Sequence, residues 1–522
     1  MPQSYIKRIL DARVYDVARE TPIDEAALLS KRFGNHIWLK REDLQPVFSF
    51  KLRGAYNKMV SLSEKQRAQG VVAASAGNHA QGLAMAAAKL GVKATIVMPR
   101  TTPQIKVDAV RNRGAKVVLE GDSFEEAEKC AKTLVDQQQL IYVHPFDDPD
   151  VIAGQGTIGM EIVRQHQTPL DALFVPVGGG GLIAGVAAYV KYVWPKTRIV
   201  GVEPQDAACL KLALERGRRD SLAEVGLFAE GVAVAQIGKE PFRIIRETVD
   251  EVITASTDEM CAAIKDIFED TRSIAEPAGA LALAGMKKYI ERTGVKNQQL
   301  MAIVSGANTN FDRLRYISER TEIGEQREAI LSVSVSEKPG SFRAFCSAMG
   351  RRSITEFNYR YAGEGSAQVF VGLAVSPGGD DLRGLLGRLK KRGYDVEDMT
   401  NNEVAKLHIR HMVGGHAPLK TINERVFRFE FPERPGALLK FLSGVGDRWN
   451  ISMFHYRNHG AAYGRILIGL QVPKGERREL LKTLDEINFR YWDETDNRPI
   501  SCIWAGENRS RHLPYRLRNQ RR

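Results

Sequence analysis

The sequence predicts an α/β protein whose first part contains mostly parallel sheets and whose last third contains two copies of a smaller α+β fold. Three observations lead to this prediction. Short apolar segments alternate with helical stretches up to about residue 320, a charged stretch at 318–327 interrupts that rhythm, and a repeated pattern follows it. Strands that alternate with helical segments are typical of crossover units in a parallel sheet. A chain of 522 residues is long enough for about two to four domains.

Eight segments of the first part are predicted to be β-strands, because each is a short apolar run. They are 71–74, 92–98, 116–119, 141–143, 172–177, 198–202, 251–254 and 301–304. Three of them run directly into polar or glycine-rich loops, at 75–79, 178–182 and 305–308. Ligands of open parallel sheets bind beyond the carboxyl ends of the strands, close to helix amino termini. We therefore expect these three loops to form a ligand site.

One lysine, Lys51, stands between small or apolar neighbours in the segment SFKLRGA at 49–55, at a predicted helix start. A lysine in this position can act as a nucleophile, although most lysines on helices are solvated surface charges. The glycines at 178–181 leave backbone N–H groups free to approach an anion, although a glycine run alone can equally be a flexible turn. Together the two features indicate pyridoxal phosphate as the cofactor, because this phosphorylated aldehyde forms a Schiff base with lysine.

An internal repeat follows the charged stretch. Alternating strands at 331–335 and 426–431 each precede a Pro-Gly pair and a helix, and the motifs FNYR at 357–360 and FHYR at 454–457 follow at nearly the same distance. The order strand, helix, strand, strand, helix, strand resembles the ACT-like regulatory domain, a ferredoxin-like fold that binds amino acids between copies. Structural caps or oligomerisation modules are the alternative interpretation.

Five motifs in this order resemble those of the biosynthetic threonine deaminases: SFKLRGA, SAGNHAQG, VGGGGL, EPAGALALAG and SGANTNFDRLRY. The resemblance covers nearly the whole chain. It implies a pyridoxal-phosphate fold type II catalytic domain of the tryptophan-synthase-β type with mostly parallel sheets, followed by two ferredoxin-like α+β ACT-like domains. The expected boundaries are a catalytic domain at 1–320, a linker at 321–328, ACT-like domains at 329–402 and 425–496, and a basic, disordered tail at 507–522.

The resemblance also assigns roles to individual residues. It makes Lys51 the Schiff-base lysine and general base, Asn78 the partner of the cofactor's phenolic oxygen, and Ser305 the hydroxyl that faces the pyridine nitrogen. A neutral hydroxyl there leaves the ring largely unprotonated, which favours prompt loss of a β-substituent. The expected phosphate site consists of Gly178, Gly179, Gly180, Gly181 and Leu182, and the expected substrate site of Ser75, Gly77, Asn78 and His79.

Three further side chains have two interpretations each. His79 is either a substrate contact or a structural hydrogen-bonding residue. Glu230 and Glu276 either help to shape the site or are buried hydrogen-bonded carboxylates, and neither receives a role.

The implied reaction is the dehydration and deamination of L-threonine to 2-oxobutanoate and ammonia, the first committed step of isoleucine biosynthesis, with L-serine as a second substrate. The similar serine racemases carry a hydroxyl where this chain has Ala76. A methyl group cannot move a proton, so elimination is favoured over racemisation. A serine-preferring dehydratase or a racemase is the alternative enzyme. An inactive amino-acid sensor is the alternative class, and the presence of Lys51, Asn78 and Ser305 in order opposes it.

The resemblance further implies inhibition by isoleucine, antagonism by valine and a homotetramer. Tyr359 and Tyr456 occupy equivalent positions in the two repeats. We expect these tyrosines to contact the effector, with core packing as the alternative.

Composition argues against several other functions. No apolar run approaches the roughly 20 residues of a membrane span, and the amino terminus lacks the apolar core of a signal peptide. We therefore expect a cytoplasmic protein without a membrane partner. Five dispersed cysteines without a C-x-x-C pair argue against disulfides and a metal site. The net charge is +12, but the segment 507–522 supplies +5 of it through six arginines and one glutamate, and no motif indicates nucleic-acid binding.

Overall fold

The computed structural model describes residues 3–311, 313–336, 338–350, 352–360, 366–402, 405–406, 423–432, 437–445, 448–457, 463–487 and 489–496. The predicted basic tail at 507–522 and Cys502 lie outside these residues. The chain divides into two compact units, Met1–Gly324 and Glu325–Arg522. Within the described ranges, none of the helices has both the length and the apolar character of a membrane span.

The first unit alternates strands and helices, as predicted. Its strands are β1 (Ile23–Glu25), β2 (His36–Arg41), β3 (Val71–Ala74), β4 (Ala94–Met98), β5 (Lys116–Leu119), β6 (Ile141–Tyr142), β7 (Ala172–Pro176), β8 (Arg198–Pro204), β9 (Glu251–Ala255) and β10 (Gln299–Val304). Its helices are α1 (Gln3–Leu10), α2 (Ala27–Phe33), α3 (Lys51–Ser61), α4 (Glu64–Gln69), α5 (Asn78–Leu90), α6 (Gln104–Arg111), α7 (Phe124–Gln138), α8 (Pro149–Gln165), α9 (Gly181–Val193), α10 (Cys209–Arg216), α11 (Lys239–Thr248), α12 (Thr257–Thr271), α13 (Pro277–Thr293) and α14 (Arg313–Gly324). Short 3-10 turns occupy Glu42–Leu44, Gln205–Ala207 and Glu230–Val232.

The strands of the first unit form two sheets. The six-stranded sheet has the order β1-β2-β10-β7-β8-β9, and the four-stranded sheet has the order β5-β4-β3-β6. All strand pairs are parallel except β1 with β2. In β7, Phe174 belongs to one apolar core and Leu173 to another. Both faces of the larger sheet are therefore buried, as is usual for parallel sheets, and the predicted mostly parallel α/β fold is confirmed.

The expected linker at 321–328 is helical as far as Gly324, where α14 ends. Arg320 and Thr321 are each 4% exposed. Arg320 forms an ion pair with Asp258 of α12, and a Cβ on Gly324 would lie 2.0 Å from the Asp258 carbonyl oxygen. The charged residues of this stretch as far as Gly324 are thus part of a packed helix with polar partners. From the sequence alone, such a helix has the same charged composition as an exposed linker.

The second unit contains two equivalent sets of elements. The first repeat consists of β11 (Glu328–Ser336), α15 (Ser341–Met349), β12 (Ile354–Arg360), β13 (Ser366–Ala374), α16 (Asp380–Lys391) and β14 (Val396–Asp398). The second consists of β15 (Glu424–Pro432), α17 (Ala437–Val445), β16 (Asn450–Arg457), β17 (Tyr463–Gln471), α18 (Arg477–Ile487) and β18 (Arg490–Asp493). The predicted order of elements is therefore present twice.

The two repeats share one antiparallel sheet of eight strands, with the order β14-β11-β13-β12-β16-β17-β15-β18. The central pair joins them, because β12 and β16 are antiparallel neighbours. Each repeat also places a hydroxyl at a bulge against a glutamate of its first strand. Thr355 donates to Glu328 in the first repeat, and Ser452 Oγ donates to Glu424 Oε1 at 2.6 Å in the second. These matching contacts extend the sequence repeat to the level of single hydrogen bonds.

Candidate active site

The predicted lysine, Lys51, is the first residue of α3 and is partly buried. Its Nζ donates a hydrogen bond to the carbonyl oxygen of Gly231 at 3.1 Å. Burial lowers the pKa of the amine below its usual value, and the charge of Glu276 opposes that shift. Within the described part of the chain, Lys51 forms no ion pair within 4.0 Å. An amine in this environment is neutral at a lower pH than an ordinary lysine, which suits a nucleophile or a base.

Main-chain contacts connect the segment before Lys51 to the end of β10. Ser49 forms an isolated antiparallel bridge with Gly306. The amide of Phe50 donates to Ser305 O at 3.3 Å, and the amide of Ala307 donates to Phe48 O at 2.9 Å. The lysine segment and the SGAN loop at 305–308 therefore lie together, as the sequence predicted.

Asn78 occupies the first turn of α5, at the carboxyl end of β3. Asn308 Nδ2 donates to Asn78 Oδ1 at 2.7 Å, and Asn78 Nδ2 donates to Glu276 Oε1 at 2.6 Å. Asn308 Nδ2 also donates to Val47 O at 2.7 Å. Because the amide oxygen of Asn78 accepts the hydrogen bond from Asn308, the NH₂ group of Asn78 lies on the side of Glu276. This group carries two protons, so one remains for a ligand oxygen when Glu276 accepts the other.

Glu276 and Asn308 belong to the site, although the sequence analysis assigned neither a role. Burial raises the pKa of the Glu276 carboxyl, while the hydrogen bond from Asn78 and the charge of Lys51 lower it. Glu276 directly precedes helix α13, and Asn308 follows β10 by four residues. Glu276 is a polar residue at the amino end of a buried helix, and Asn308 follows the carboxyl end of a buried strand. These positions were the available signal.

The SAGNH loop at 75–79 connects β3 to α5, and its residues have different hydrogen-bond partners. Gly77 is the residue before α5, and its amide donates to Ser75 Oγ at 3.3 Å. The free N–H groups of this helix start can bind a carboxylate. The His79 side chain is engaged elsewhere, because it is 2% exposed and its Nε2 lies 2.9 Å from Val143 O. Burial lowers the pKa of His79 to about 3, so the geometry favours its structural interpretation.

The glycine loop follows β7 and begins α9, and no residue in it has room for a side chain. An added Cβ would lie 2.8 Å from Val232 Cα at Gly178, 2.2 Å from the Phe146 ring at Gly179, 2.7 Å from Ile237 at Gly180 and 3.0 Å from Phe146 O at Gly181. Gly180 also has φ +88°, which favours glycine. The next residue, Leu182, is buried in an apolar core, so only its backbone can serve the loop. This is a cradle of the type that binds phosphate at a helix amino terminus.

Ser305 directly follows β10 and is 3% exposed. Its hydroxyl donates to Ala278 O at 3.2 Å. This position therefore carries a neutral hydroxyl whose proton is directed to a main-chain oxygen.

Tyr359 and Tyr456 are core residues, with exposed fractions of 1% and 6%. Tyr359 is opposite Phe454 in the β12–β16 pair, and Tyr456 is opposite Phe357. The Tyr359 ring packs edge-on against Phe342 at 4.6 Å between centroids. The structure therefore favours the packing interpretation of both tyrosines.

A shallow surface groove lies between the two repeats instead. Leu442, Val445 and Ile451 form its apolar wall. Lys338 and Arg343 bring positive charge to the same groove, at the beginning of α15. Trp449 also lines it. The groove combines apolar and cationic groups, and an apolar amino acid offers the complementary chemistry.

The comparisons with known proteins agree with this arrangement. The model of the pyridoxal-phosphate dependent enzyme family matches residues 14–306, and that of the C-terminal regulatory domain of threonine dehydratase matches residues 319–409 and 415–502. The chain is 54% identical over 496 residues to the biosynthetic L-threonine dehydratase of Burkholderia multivorans, covering 94% of this chain and 97% of the relative. It is 52% identical over 503 residues to that of Salmonella typhimurium, covering 96% and 97%. The solved structure of the processed form of threonine deaminase isoform 2 from Solanum lycopersicum is 50% identical with a TM-score of 0.60, covering 61% of this chain and 93% of that one.

Proposed function

Because the chain belongs to the biosynthetic threonine dehydratases, a family of pyridoxal-phosphate dependent enzymes, we propose that it converts L-threonine to 2-oxobutanoate and ammonia. This is the first committed step of isoleucine biosynthesis. The observation that carries the proposal is the partly buried Lys51 amine, which donates to Gly231 O at 3.1 Å in the same site as the Asn308–Asn78–Glu276 chain.

The residues of the site fit pyridoxal phosphate. When bound, the cofactor supplies an aldehyde for a Schiff base with lysine and an electron-withdrawing ring. The N–H groups of Gly178–Gly181 would hold its phosphate, since each glycine fills a position where a Cβ would collide. The second amide proton of Asn78 would bind its phenolic oxygen, and the Ser305 hydroxyl would turn its proton from Ala278 O to the ring nitrogen.

Lys51 is the proposed general base. Its lowered pKa makes the amine neutral at a lower pH than that of an ordinary lysine, so that it can take the proton from Cα of the substrate. The start of α5, with Gly77 before it and the Ser75 hydroxyl beside it, would hold the substrate carboxylate. The electron pair of the Cα–H bond would form the Cα=Cβ bond while the Cβ–O bond breaks. The departing β-hydroxyl would take up a proton, which balances the one that Lys51 removes, and so leave as water.

Ala76 distinguishes elimination from racemisation. Its methyl group packs against the apolar core of the four-stranded sheet, so no side-chain proton donor stands at this loop position. The decisive experiment measures 2-oxobutanoate formation from threonine, pyruvate formation from serine and racemisation of L-serine on the same holoenzyme. We expect the largest kcat/KM for threonine. A larger kcat/KM for serine, or racemisation faster than elimination, would favour the alternative enzymes.

We propose that isoleucine inhibits the enzyme, that valine opposes this effect, and that both bind at the groove between the repeats. The α-carboxylate would meet Lys338 and Arg343, and the branched side chain would meet Leu442 and Val445. An effector shifts an equilibrium between two conformations through its different affinity for each. The affinity of a site formed by both repeats depends on how the repeats are arranged.

The regulatory proposal is tested with Lys338→Glu, which reverses an exposed charge of the groove. Lys390→Glu is the matched control, because it reverses an exposed charge on α16, outside the groove-lining residues. We expect Lys338→Glu to raise the half-inhibitory isoleucine concentration by about tenfold, or 1.4 kcal/mol of binding free energy, with uninhibited kcat unchanged. The same isoleucine response in both variants would reject the groove, and no response in the parent would reject the regulation.

We also propose a homotetramer and a cytoplasmic location. Light scattering of the holoenzyme gives the subunit number, and fractionation of cells gives the location. A monomer, or recovery in the membrane fraction, would reject the respective proposal.

A further inference from the structure

Four charged side chains form a fully buried cluster, and one of them lies in the first turn of α3 together with Lys51. Lys40 of β2, Glu42 of the following turn, Arg53 of α3 and Glu161 of α8 are each 0% exposed. Their formal charges cancel. Isolated buried charges are costly, so a cluster of this kind persists only when its members pair with one another and satisfy their hydrogen bonds.

Arg53 is the centre of this cluster. Its Nε donates to Glu42 Oε2 at 2.8 Å and its second terminal nitrogen donates to Glu42 Oε1 at 2.8 Å, which is a bidentate pair. On the other side, the guanidinium donates to Glu161 Oε1 at 2.6 Å and to Glu161 Oε2 at 3.1 Å. Lys40 Nζ completes the cluster by donating to Glu161 Oε2 at 2.6 Å. The planar fork of arginine fixes direction as well as distance.

The Arg53–Glu42 pair closes the chain segment that carries Lys51. Glu42 stands before this segment, and Arg53 stands two residues after the lysine. Within the closed segment, Phe48 has φ +54°. A non-glycine residue in this left-handed region is strained, and such a conformation persists only where the surroundings determine it. The bidentate pair supplies that constraint at both ends of the segment.

The backbone of α3 is fixed from the other sides by close contact with glycines. A Cβ on Gly82 would lie 2.9 Å from Leu52 Cα, and a Cβ on Gly154 would lie 2.7 Å from Arg53 O. Helices α5 and α8 therefore approach the first turn of α3 as closely as main chains can. Because α5 and α8 restrict the first turn of α3 on these sides, the side held by the Arg53–Glu42 pair is where its position remains to be set.

We propose that the bidentate Arg53–Glu42 pair is a positioning device for Lys51, which fixes the direction from which the lysine amine reaches the cofactor aldehyde and the substrate α-proton. A buried ion pair adds little net stability compared with a well-packed apolar replacement, so a positioning role accounts for the retention of four buried charges. The inference rests on the proposed role of Lys51, and its test separates the two, because the pair is changed while Lys51 remains in place.

The test uses full-length holoenzyme with Arg53→Lys, which keeps the charge but loses the bidentate geometry. Glu42→Asp is the second variant, because it keeps both charge and carboxylate and so protects the fold. Asp266→Asn is the matched control. Asp266 is also a buried carboxylate with two cationic partners, Arg32 at 2.8 Å and Lys287, but it lies on α12. Measured quantities are kcat, KM for threonine, the melting temperature, and the rate at which apo-protein attaches added pyridoxal phosphate, followed by absorbance.

We expect Arg53→Lys and Glu42→Asp to lower kcat by about 10- to 100-fold with KM within about threefold, because a displacement near 1 Å costs about 10²-fold. Cofactor attachment should slow by about tenfold, whereas Asp266→Asn should lower the melting temperature and leave both rates at parental values. Parental kcat and attachment rate in either folded variant of the pair would overturn the proposal. So would an equal loss of both rates in Asp266→Asn, since that result would show a merely structural effect.

Discussion

The two units of this chain use polar and aromatic residues in different places. In the first unit, the residues of the site lie in loops where parallel strands end, as Asn78 and Ser305 do. In the second unit, the repeated aromatic residues lie inside antiparallel strands, and Tyr359 and Tyr456 pack in the core. A strand end thus predicts a polar residue beside the site, while a position within an alternating strand predicts only the face of the sheet. Five substitutions test this difference, beginning with the largest expected effect.

Lys51→Ala should lower threonine turnover by more than about 10⁴-fold, because it removes both the nucleophile and the proposed general base. The fold should persist, since α3 is also held by Arg53 and by the close contact with Gly82. The measurement is 2-oxobutanoate formation, with circular dichroism as the test of folding. Lys89→Ala, at an exposed lysine in the last turn of α5, is the control. Turnover within about 100-fold of the parent would contradict the assignment of Lys51.

Much of the first unit follows from the sequence, because its signals are local. Strands β3 and β5 have the predicted bounds, Val71–Ala74 and Lys116–Leu119. The sequence analysis did not identify β1 and β2, whose mixed polar and apolar composition gives no continuous apolar run. It also left Glu276 without a role, since the Asn78–Glu276 hydrogen bond joins residues 198 positions apart. Contacts at such separations depend on how the helices pack, and a single sequence does not show that.

The buried ion cluster around Arg53 is a second feature that a single sequence does not show. Arg53 lies in the SFKLRGA motif, but the pattern presents it as a helical cation like any other. Its partner Glu161 is 108 residues away in α8. Only the packing of α3 against α8 shows that the charge is fully buried, and so the inference about Lys51 required the structure.

Tyr359→Ala and Tyr456→Ala should each lower the free energy of unfolding of the second unit by about 3–5 kcal/mol, the usual cost of deleting a large buried ring. Urea denaturation followed by tryptophan fluorescence measures this cost. Any loss of isoleucine response should accompany the loss of stability, whereas Lys338→Glu should weaken the response about tenfold at parental stability. A tyrosine variant with parental stability and no isoleucine response would restore the effector interpretation.

Gly179→Ala should weaken pyridoxal phosphate binding by about 100-fold, or 2.7 kcal/mol, because the added methyl would lie 2.2 Å from the Phe146 ring. Absorbance titration of apo-protein measures the dissociation constant. Gly387→Ala is the control, since a Cβ at that position in α16 meets no atom within 4 Å. Unchanged affinity in Gly179→Ala would show that Phe146 moves freely and that the glycine loop is not the rigid part of the cradle.

His79→Gln tests a residue of the SAGNH loop whose side chain is buried and contacts Val143 O instead of facing a substrate. Glutamine can still donate to Val143 O, so threonine turnover should stay within about threefold of the parent. The pH dependence of stability should change instead. The His79 pKa falls from 6.5 to about 3 on folding, so between these values the unfolded state binds the additional proton and stability decreases as the pH falls.

The glutamine variant lacks this titration, and the two proteins should therefore differ in pH dependence. Between neutral pH and about pH 5, the parent should lose about 2 kcal/mol more than the variant. Urea denaturation at each pH measures the difference. A loss of turnover above about 100-fold in the glutamine variant, together with the same pH dependence of stability as the parent, would instead show that the imidazole contacts the substrate. The loop after β3 would then supply a substrate contact at His79 as well, because the ring would have to leave Val143 during catalysis.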